Sequence, residues 1–347
     1  FSAMIEKQLF KTIKEFFPDA NANANANDWQ TVLDQCNVGI SVFHLFNTAQ
    51  YYVAYYSKNS SINLSIILYR KNQAIGVMPL IVHQDEGQGW VLSSNGVDII
   101  EPIFIQKLTR KVKKKFEKQL YDLIIELSKK LKIKQCQFTN MDYFQLSSWY
   151  LIWVNRATNI FPTHHLLVDL SLSLDEIRLK FRTSSKTLIN KAIREFIVEV
   201  HNHPSEKLFE EFRLLHKEVA NRVTRPLDSW KIQKKQIDLA ECFMITVRNK
   251  SNVMIGSGLF TYSSYQGMYS VAAFKREFFD KPIGHAMQMR AIESLKQKGC
   301  SWYEIGQKHL KVDKIKPTDK ELSISHFKEG FSTRTVARQH LIVNMDS

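Results

Sequence analysis

The sequence lacks any apolar run approaching the roughly 20 residues that cross a bilayer. It also lacks a short N-terminal apolar core followed by a small-residue cleavage site. Both absences lead to the expectation of a soluble, cytoplasmic protein. Cysteine is scarce: Cys36, Cys136, Cys242 and Cys300 lie far apart, which excludes paired zinc spacing and a dense disulfide framework. Buried thiols in a reducing compartment are expected instead. No metal motif, P-loop, nucleophile elbow or dinucleotide fingerprint occurs, so neither a metal nor a tightly bound cofactor is expected. Acidic residues are outnumbered, with 34 Asp and Glu against 48 Lys and Arg, a net charge of +14. That excess favours an anionic partner: a nucleic acid, a phosphate-bearing substrate or an acidic membrane face. A solvated lysine-rich surface has the same composition, and charge leaves the fold open.

What is present is enough chain for a substantial core: 347 residues, 44% of them hydrophobic, which fits two domains or one large one. Phe1 to Ala3 precede the first methionine and are left out of the fold reading. Helical spacing over Ile5 to Phe17 ends at Pro18, and "ANANANAN" (Ala20 to Asn27) reads as a surface loop. Asn63 to Val82 is two apolar runs around the polar turn "RKNQ", a β-hairpin. A basic helix over about Lys107 to Leu131 leads into the strand "IKQCQF". The second half repeats this order. Glu241 to Ser264 is again strand, turn, strand, "GMYSVAAF" extends it, Gly284 to Gly299 is a helix bounded by glycines, and "SWYEI" follows as a strand. "IGVMPLI" (Ile75 to Ile81) matches "IGSGLFT" (Ile255 to Thr261) at a separation of 180 residues, the mark of a duplicated unit. The expected fold is therefore α/β with mixed sheets in two similar modules, residues 4–160 and 161–347. Between them lie a strand around "THHLLVDLS", a helix capped by Ser173, and helices over about Ser184 to Phe196 and Ser205 to Ala220.

Chemistry-bearing residues gather at the edges of the second module. "ANRVTRPLDSWKIQ" brings Arg222, Arg225, Trp230 and Gln233 around a proline turn; guanidinium groups near an aromatic suit a phosphate or carboxylate, and an ordinary surface turn reads the same. His285 sits in the first turn of a helix, where the dipole favours the neutral imidazole. In "CSWYEIGQ", alternation puts Trp302 and Glu304 on one face and Tyr303 on the other, so Glu304 is a carboxylate in an apolar strand that demands a partner or a role as a base. His164 and His165 alternate to opposite faces and carry less weight. In "ISHFKEGF", Ile324, Phe327 and Phe331 have the spacing of an apolar helical face, beside Lys328; by spacing alone that lysine is a solvated one.

In order and spacing, "YRKNQAIGVMPLIV", "LLVDLS" with "KFRTSSKTLINKA", "NRVTRPLDSWKIQ", "KPIGHAMQMRAI", "WYEIG" and "ISHFKEGF" resemble the Fem family of aminoacyl transferases (FemABX), from about residue 60 onward. The resemblance implies a tandem pair of GNAT-type acyltransferase modules and acyl transfer to an amine, with an amide as product. Fem enzymes take an aminoacyl-tRNA donor and a peptidoglycan precursor as acceptor; relatives in surface-sugar pathways are expected to acylate an amino sugar. The family's C-terminal Phe-Lys pair matches Phe327 and Lys328, which implies that Lys328 steadies the oxyanion of the tetrahedral intermediate. The expected catalytic set is Lys328, Glu304 and His285, with Arg222, Arg225, Trp230, Gln233, Phe327, Tyr303 and Gln307 binding substrate. Two family features are absent. "KREFFDKPIGHA" lacks the pyrophosphate-cradling pattern of acetyl-CoA enzymes, and no heptads between Leu170 and Leu239 form a coiled-coil arm. Rival expectations are an acyl-CoA-dependent N-acyltransferase acting on a nucleotide-linked amino sugar, and a non-catalytic protein that uses "KLTRKVKKKFEK" (Lys107 to Lys118) to hold RNA or a membrane surface. Peripheral contact with the inner membrane stays open.

Overall fold

The computed structural model describes residues 2–21, 24–37 and 39–346. The chain runs α1 (Ser2–Phe16), α2 (Ala26–Asp34), α3 (Phe46–Tyr55), β1 (Ser61–Asn63), β2 (Ile66–Arg70), β3 (Gln73–Met78), β4 (Ile81–Asp85) and β5 (Gly89–Ser93). There follow β6 (Asp98–Ile99), β7 (Ile103–Phe104), α4 (Arg110–Lys130), β8 (Gln135–Thr139), α5 (Ser148–Val154), β9 (Ala157–Asp169), α6 (Leu174–Lys180), α7 (Thr183–Glu195) and β10 (Ile197–His201). The remainder is α8 (Glu206–Ala220), α9 (Leu227–Asp238), β11 (Cys242–Arg248), β12 (Met254–Tyr262), β13 (Gln266–Phe274), α10 (Ile283–Gln297), β14 (Trp302–Lys308), α11 (Asp319–Glu329) and β15 (Arg334–Asn344). No described helix is long and apolar enough to cross a membrane. All four cysteines are free thiols; Cys136, Cys242 and Cys300 are buried and Cys36 is partly so.

Ala22 and Asn23 of the alanine–asparagine tract lie outside the described residues, and the end of the tract is not loop. The Asn25 side chain accepts from the N–H groups of Asn27 and Asp28 at 2.9 and 3.2 Å and starts α2, because an asparagine oxygen there satisfies amides that a helix start leaves open.

The chain divides into two compact units. One comprises the residues up to Pro162 together with those from Arg338 onward, the other Thr163–Ala337. The second module thus does not run to residue 347: His340–Asn344 of β15 pair with β8 and belong to the first unit. In that unit β1-β4-β5 and β2-β3-β7 form two small sheets, and β8 lies between β15 and β6. The β2–β3 turn is Lys71-Asn72, both at positive φ (51° and 62°), the conformation a two-residue hairpin turn requires.

In the second unit the strand order is β10-β11-β12-β13-β14-β9, antiparallel except for β13–β14. Alternation along β11 sends Phe243, Ile245 and Val247 into one core with α10, and Cys242 and Met244 into another with Phe209 and Phe212 of α8 and Trp230 of α9. The sheet is therefore covered on both faces, which accounts for its nearly continuous burial.

Each unit contains the same close approach. A Cβ on Gly76 would meet Phe104 Cδ1 at 2.8 Å, and one on Gly256 would meet Phe274 Cδ1 at 2.6 Å. Both glycines follow the isoleucine of the repeated sequence, and both pair in register with the phenylalanine whose ring covers them. A glycine opposite an aromatic on the neighbouring strand lets the ring lie on bare backbone. The duplication seen in the sequence is thus a shared packing device.

Candidate active site

The site lies within the unit Thr163–Ala337 and begins with α11. Thr318 and Glu321 form a capping box: Thr318 Oγ1 accepts from the Glu321 N–H at 3.2 Å and Glu321 Oε2 accepts from the Thr318 N–H at 2.7 Å. Gly330 closes the helix, so Phe331 lies beyond it. Phe331 is fully buried and Phe327 partly so, but Ile324 is 42% exposed. The apolar face expected from spacing therefore narrows to the C-terminal end of the helix, where Phe327 and Phe331 pack edge to face at 5.4 Å.

That packing directs Lys328. Its side chain is half-buried, its Nζ lies 5.4 Å from the Tyr269 ring centroid on β13, and a Cβ on Gly306 of β14 would stand 2.6 Å from Nζ. The amine thus lies beside both strands at the place where they part. β13 and β14 pair only over Gln266–Met268 with Trp302–Glu304, although both continue, and the register of β14 against β9 shifts between Glu304 and Gly306. Among the described residues no hydrogen bond or ion pair engages the Lys328 amine. Burial lowers its pKa below the usual lysine value, and the negative charge of Glu304 works against that shift.

Glu304 is 2% exposed. Its Oε1 lies 2.6 Å from His165 Nδ1, and its Oε2 accepts from Gln266 Nε2 at 3.0 Å. With the carboxylate ionised, Nδ1 carries the proton, and His165 Nε2, 2.8 Å from Thr163 Oγ1, accepts from that hydroxyl. The partner that sequence alternation demanded for Glu304 is thus His165, 139 residues away, together with Gln266.

His285 lies in the first turn of α10, its ring edge-on to Phe327 at 4.9 Å and tilted against Phe331 at 5.6 Å. Burial pushes its pKa down to about 4, so it is neutral at ordinary pH for a stronger reason than the helix dipole. Gly284, beside it, leaves room for the Phe327 ring: a Cβ there would meet Phe327 Cζ at 3.1 Å.

Phe327 of α11 thus packs on His285, while the next residue, Lys328, reaches Tyr269 and Gly306, with Glu304 acting on it through its charge. Gln307 follows on β14, in register with His165 and partly exposed. Tyr303 does not line this site: it is fully buried in the core and its hydroxyl donates to Gln288 Oε1 at 2.5 Å. Arg225, Trp230 and Gln233 are also not at this site. They are buried against the α8 side of the sheet, with the Arg225 guanidinium 3.7 Å from the Trp230 ring, while Arg222 is exposed after the end of α8. A proline turn in sequence gives no sign of which way its side chains point; here the indole draws Arg225 inward. Sequence reasoning gave His165 little weight, as one of a histidine pair entering a strand, and passed over Gln266, Tyr269 and Gly306.

No protein-family model matches the chain, and no curated protein matches it by sequence. Solved structures do match. FemX superposes with a TM-score of 0.68 over 93% of this chain and 97% of its own, at 12% identity. The fold is that of FemX and of tandem GNAT proteins. L-PGS from Bacillus licheniformis matches with a TM-score of 0.60 over 94% of each chain at 10% identity. A tandem GNAT protein from the clavulanic acid biosynthesis pathway matches with a TM-score of 0.50 over 94% of this chain and 97% of its own at 8% identity.

Proposed function

We propose that this chain is an acyl or aminoacyl transferase that forms an amide on an amino group of a cell-envelope precursor or an amino sugar. The observation that carries this reading is Lys328: a half-buried ammonium with no ion-pair partner among the described residues, beside Tyr269 and Gly306 where two strands separate. A lysine in that position has charge to offer an incoming group, and a partly dry setting makes that charge act more strongly than it would in water.

The acceptor nitrogen attacks the acyl carbonyl of the donor, a new C–N bond forms, and the carbonyl electron pair moves to oxygen beside the Lys328 ammonium. Collapse of this tetrahedral species re-forms the carbonyl and expels the donor's oxygen or sulfur, while the nitrogen gives up its proton to water or to neutral His285. Glu304 acts as counter-charge more readily than as base, since both its oxygens are held, one by His165 and the other by Gln266. Its role is to keep Lys328 charged against the pull of burial.

The donor is an aminoacyl-tRNA or an acyl-CoA, and the basic surface suits either. The reading is tested by incubating the purified chain with charged tRNAs or acyl-CoAs and a panel of primary amines, with mass spectrometry for the amide. An amide from at least one pair supports it. Salt-dependent RNA binding with no amide from any pair would favour the non-catalytic alternative.

A further inference from the structure

In the unit Thr163–Ala337, β13 and β14 run parallel, so the loops that follow them leave the same end of the sheet. The loop after β14 presents Val312 and Ile315, 81% and 80% exposed, and the loop after β13 presents Phe279 at 66%. Single exposed apolar side chains are ordinary, but three that stand this far out at one end of a sheet call for a cover. The loop after β14 is not loose. The Leu310 N–H donates to Asp313 Oδ2 at 2.8 Å, the Asp313 N–H to the Leu310 carbonyl at 3.0 Å and Lys316 Nζ to the Lys311 carbonyl at 3.2 Å, while the His309 N–H is taken by Ser325 Oγ of α11 at 3.0 Å. A turn tied down in this way holds Val312 and Ile315 in solvent.

Lysines alternate with them. Lys311, Lys314 and Lys316 of "KVDKIK" are all exposed, against Asp313 alone, whose Oδ2 the Leu310 amide holds. Phe279 is followed by Asp280 and Lys281, which pair at 3.9 Å, so its loop adds apolar area without net charge at the tip. Apolar tips among cations match the headgroup boundary of a membrane that contains anionic lipids: the aliphatic ends enter the acyl layer and the ammonium groups stay with the phosphates. A nucleic acid would engage the lysines and leave Val312 and Ile315 in water. The other basic face, Lys111, Lys114, Lys115 and Lys118 on α4, has helical spacing but no exposed large apolar side chain, which fits a solvated face.

We infer that the loops after β14 and β13 dock the chain on an anionic membrane surface, with Val312, Ile315 and Phe279 in the acyl boundary and Lys311, Lys314 and Lys316 at the headgroups. The docking is independent of the reaction at Lys328. Flotation of the full chain with vesicles tests it with no donor or acceptor present. Vesicles of equal parts phosphatidylglycerol and phosphatidylcholine are expected to carry the chain, phosphatidylcholine alone to carry little, and added salt to release it. Val312→Ser combined with Ile315→Ser is expected to weaken binding about tenfold or more at unchanged Tm, since two side chains no longer enter the apolar layer. Lys311→Glu with Lys314→Glu should weaken it as well, while Lys111→Glu with Lys114→Glu on α4 should leave most of it. No binding to anionic vesicles, binding that the serine pair leaves intact, or loss in the α4 pair alone would each overturn the inference. So would a dimer in solution that the serine pair splits, which would assign the tips to a second copy.

Discussion

Lys328 is held between opposing influences, since burial withdraws its proton and Glu304 restores it. Removing the carboxylate while keeping its shape shifts that balance in a known direction. Because a negative neighbour raises a lysine pKa, Glu304→Gln lowers it, and the ammonium is lost at lower pH. The alkaline limb of kcat/KM against pH is therefore expected to move toward lower pH; a limb that stays in place would show that Glu304 does not hold the charge. Gly306 controls the position of the amine. In Gly306→Ala the new Cβ meets the far end of a flexible side chain, which can swing away, but it also sits at a φ of 159° that side chains rarely adopt. Turnover is expected to drop about tenfold or more, with a lower Tm from the backbone strain, because a misplaced oxyanion donor loses most of its effect. Wild-type turnover in this variant would mean that the amine is not needed where it stands. At this scale the sequence was half legible. Glu304 announced itself as a carboxylate in an apolar strand, and Lys328 only through the family resemblance. The pairing of Glu304 with His165 and Gln266 could not be found, because contacts across 139 and 38 residues leave no local periodicity.

At the scale of elements, local rules carried far. The hairpins, the helix from Ile283 and the Ser173 capping box all follow from turn and cap chemistry that the sequence spells out. Orientation did not follow from it. Arg225 and Trp230 turn into the core, and Ile324 faces solvent, because tertiary packing decides which face of a short element is buried. The paired glycines belong to this scale. Gly76→Ala and Gly256→Ala each force a ring that has little room to retreat, and each is expected to cost about 1–3 kcal/mol of stability by chemical denaturation, as overpacking does. A cost in one unit and none in the other would contradict a shared device.

Across the whole molecule, the two units respond differently to acid. In the unit Thr163–Ala337, burial depresses His285 to about 4 from a usual 6.5 and also lowers His201 and His216. Below about pH 6.5 the unfolded form of each takes up a proton more readily than the folded form, so its contribution is present above that pH and is lost as pH falls, for His285 down to about 4. In the other unit His44, also pushed to about 4, and His83 act the same way, but Glu101 and Glu117 oppose them. A glutamate raised to about 7 in the folded state binds more protons folded than unfolded, and it favours folding as pH falls from 7 toward 4.5. Hydrogen exchange at pH 7 and pH 5, corrected for intrinsic rates, is expected to show protection falling in Thr163–Ala337 and holding in the other unit. Equal losses would contradict it. The tandem architecture itself was legible because a duplicated sequence repeats its pattern. The return of the chain from Arg338 onward to the first unit was not, since the pairing of β15 with β8, some 200 residues away, leaves no local periodicity.

The role proposed for Lys328 is to stabilise the charge that develops during amide formation. It is tested most directly by measuring kcat/KM for the wild-type chain and for Lys328→Met with the donor and acceptor that give an amide, alongside the Tm of each. The expected result is a fall of about 10²–10³-fold at unchanged Tm, the usual effect of removing an oxyanion donor. Wild-type kcat/KM in Lys328→Met would contradict it.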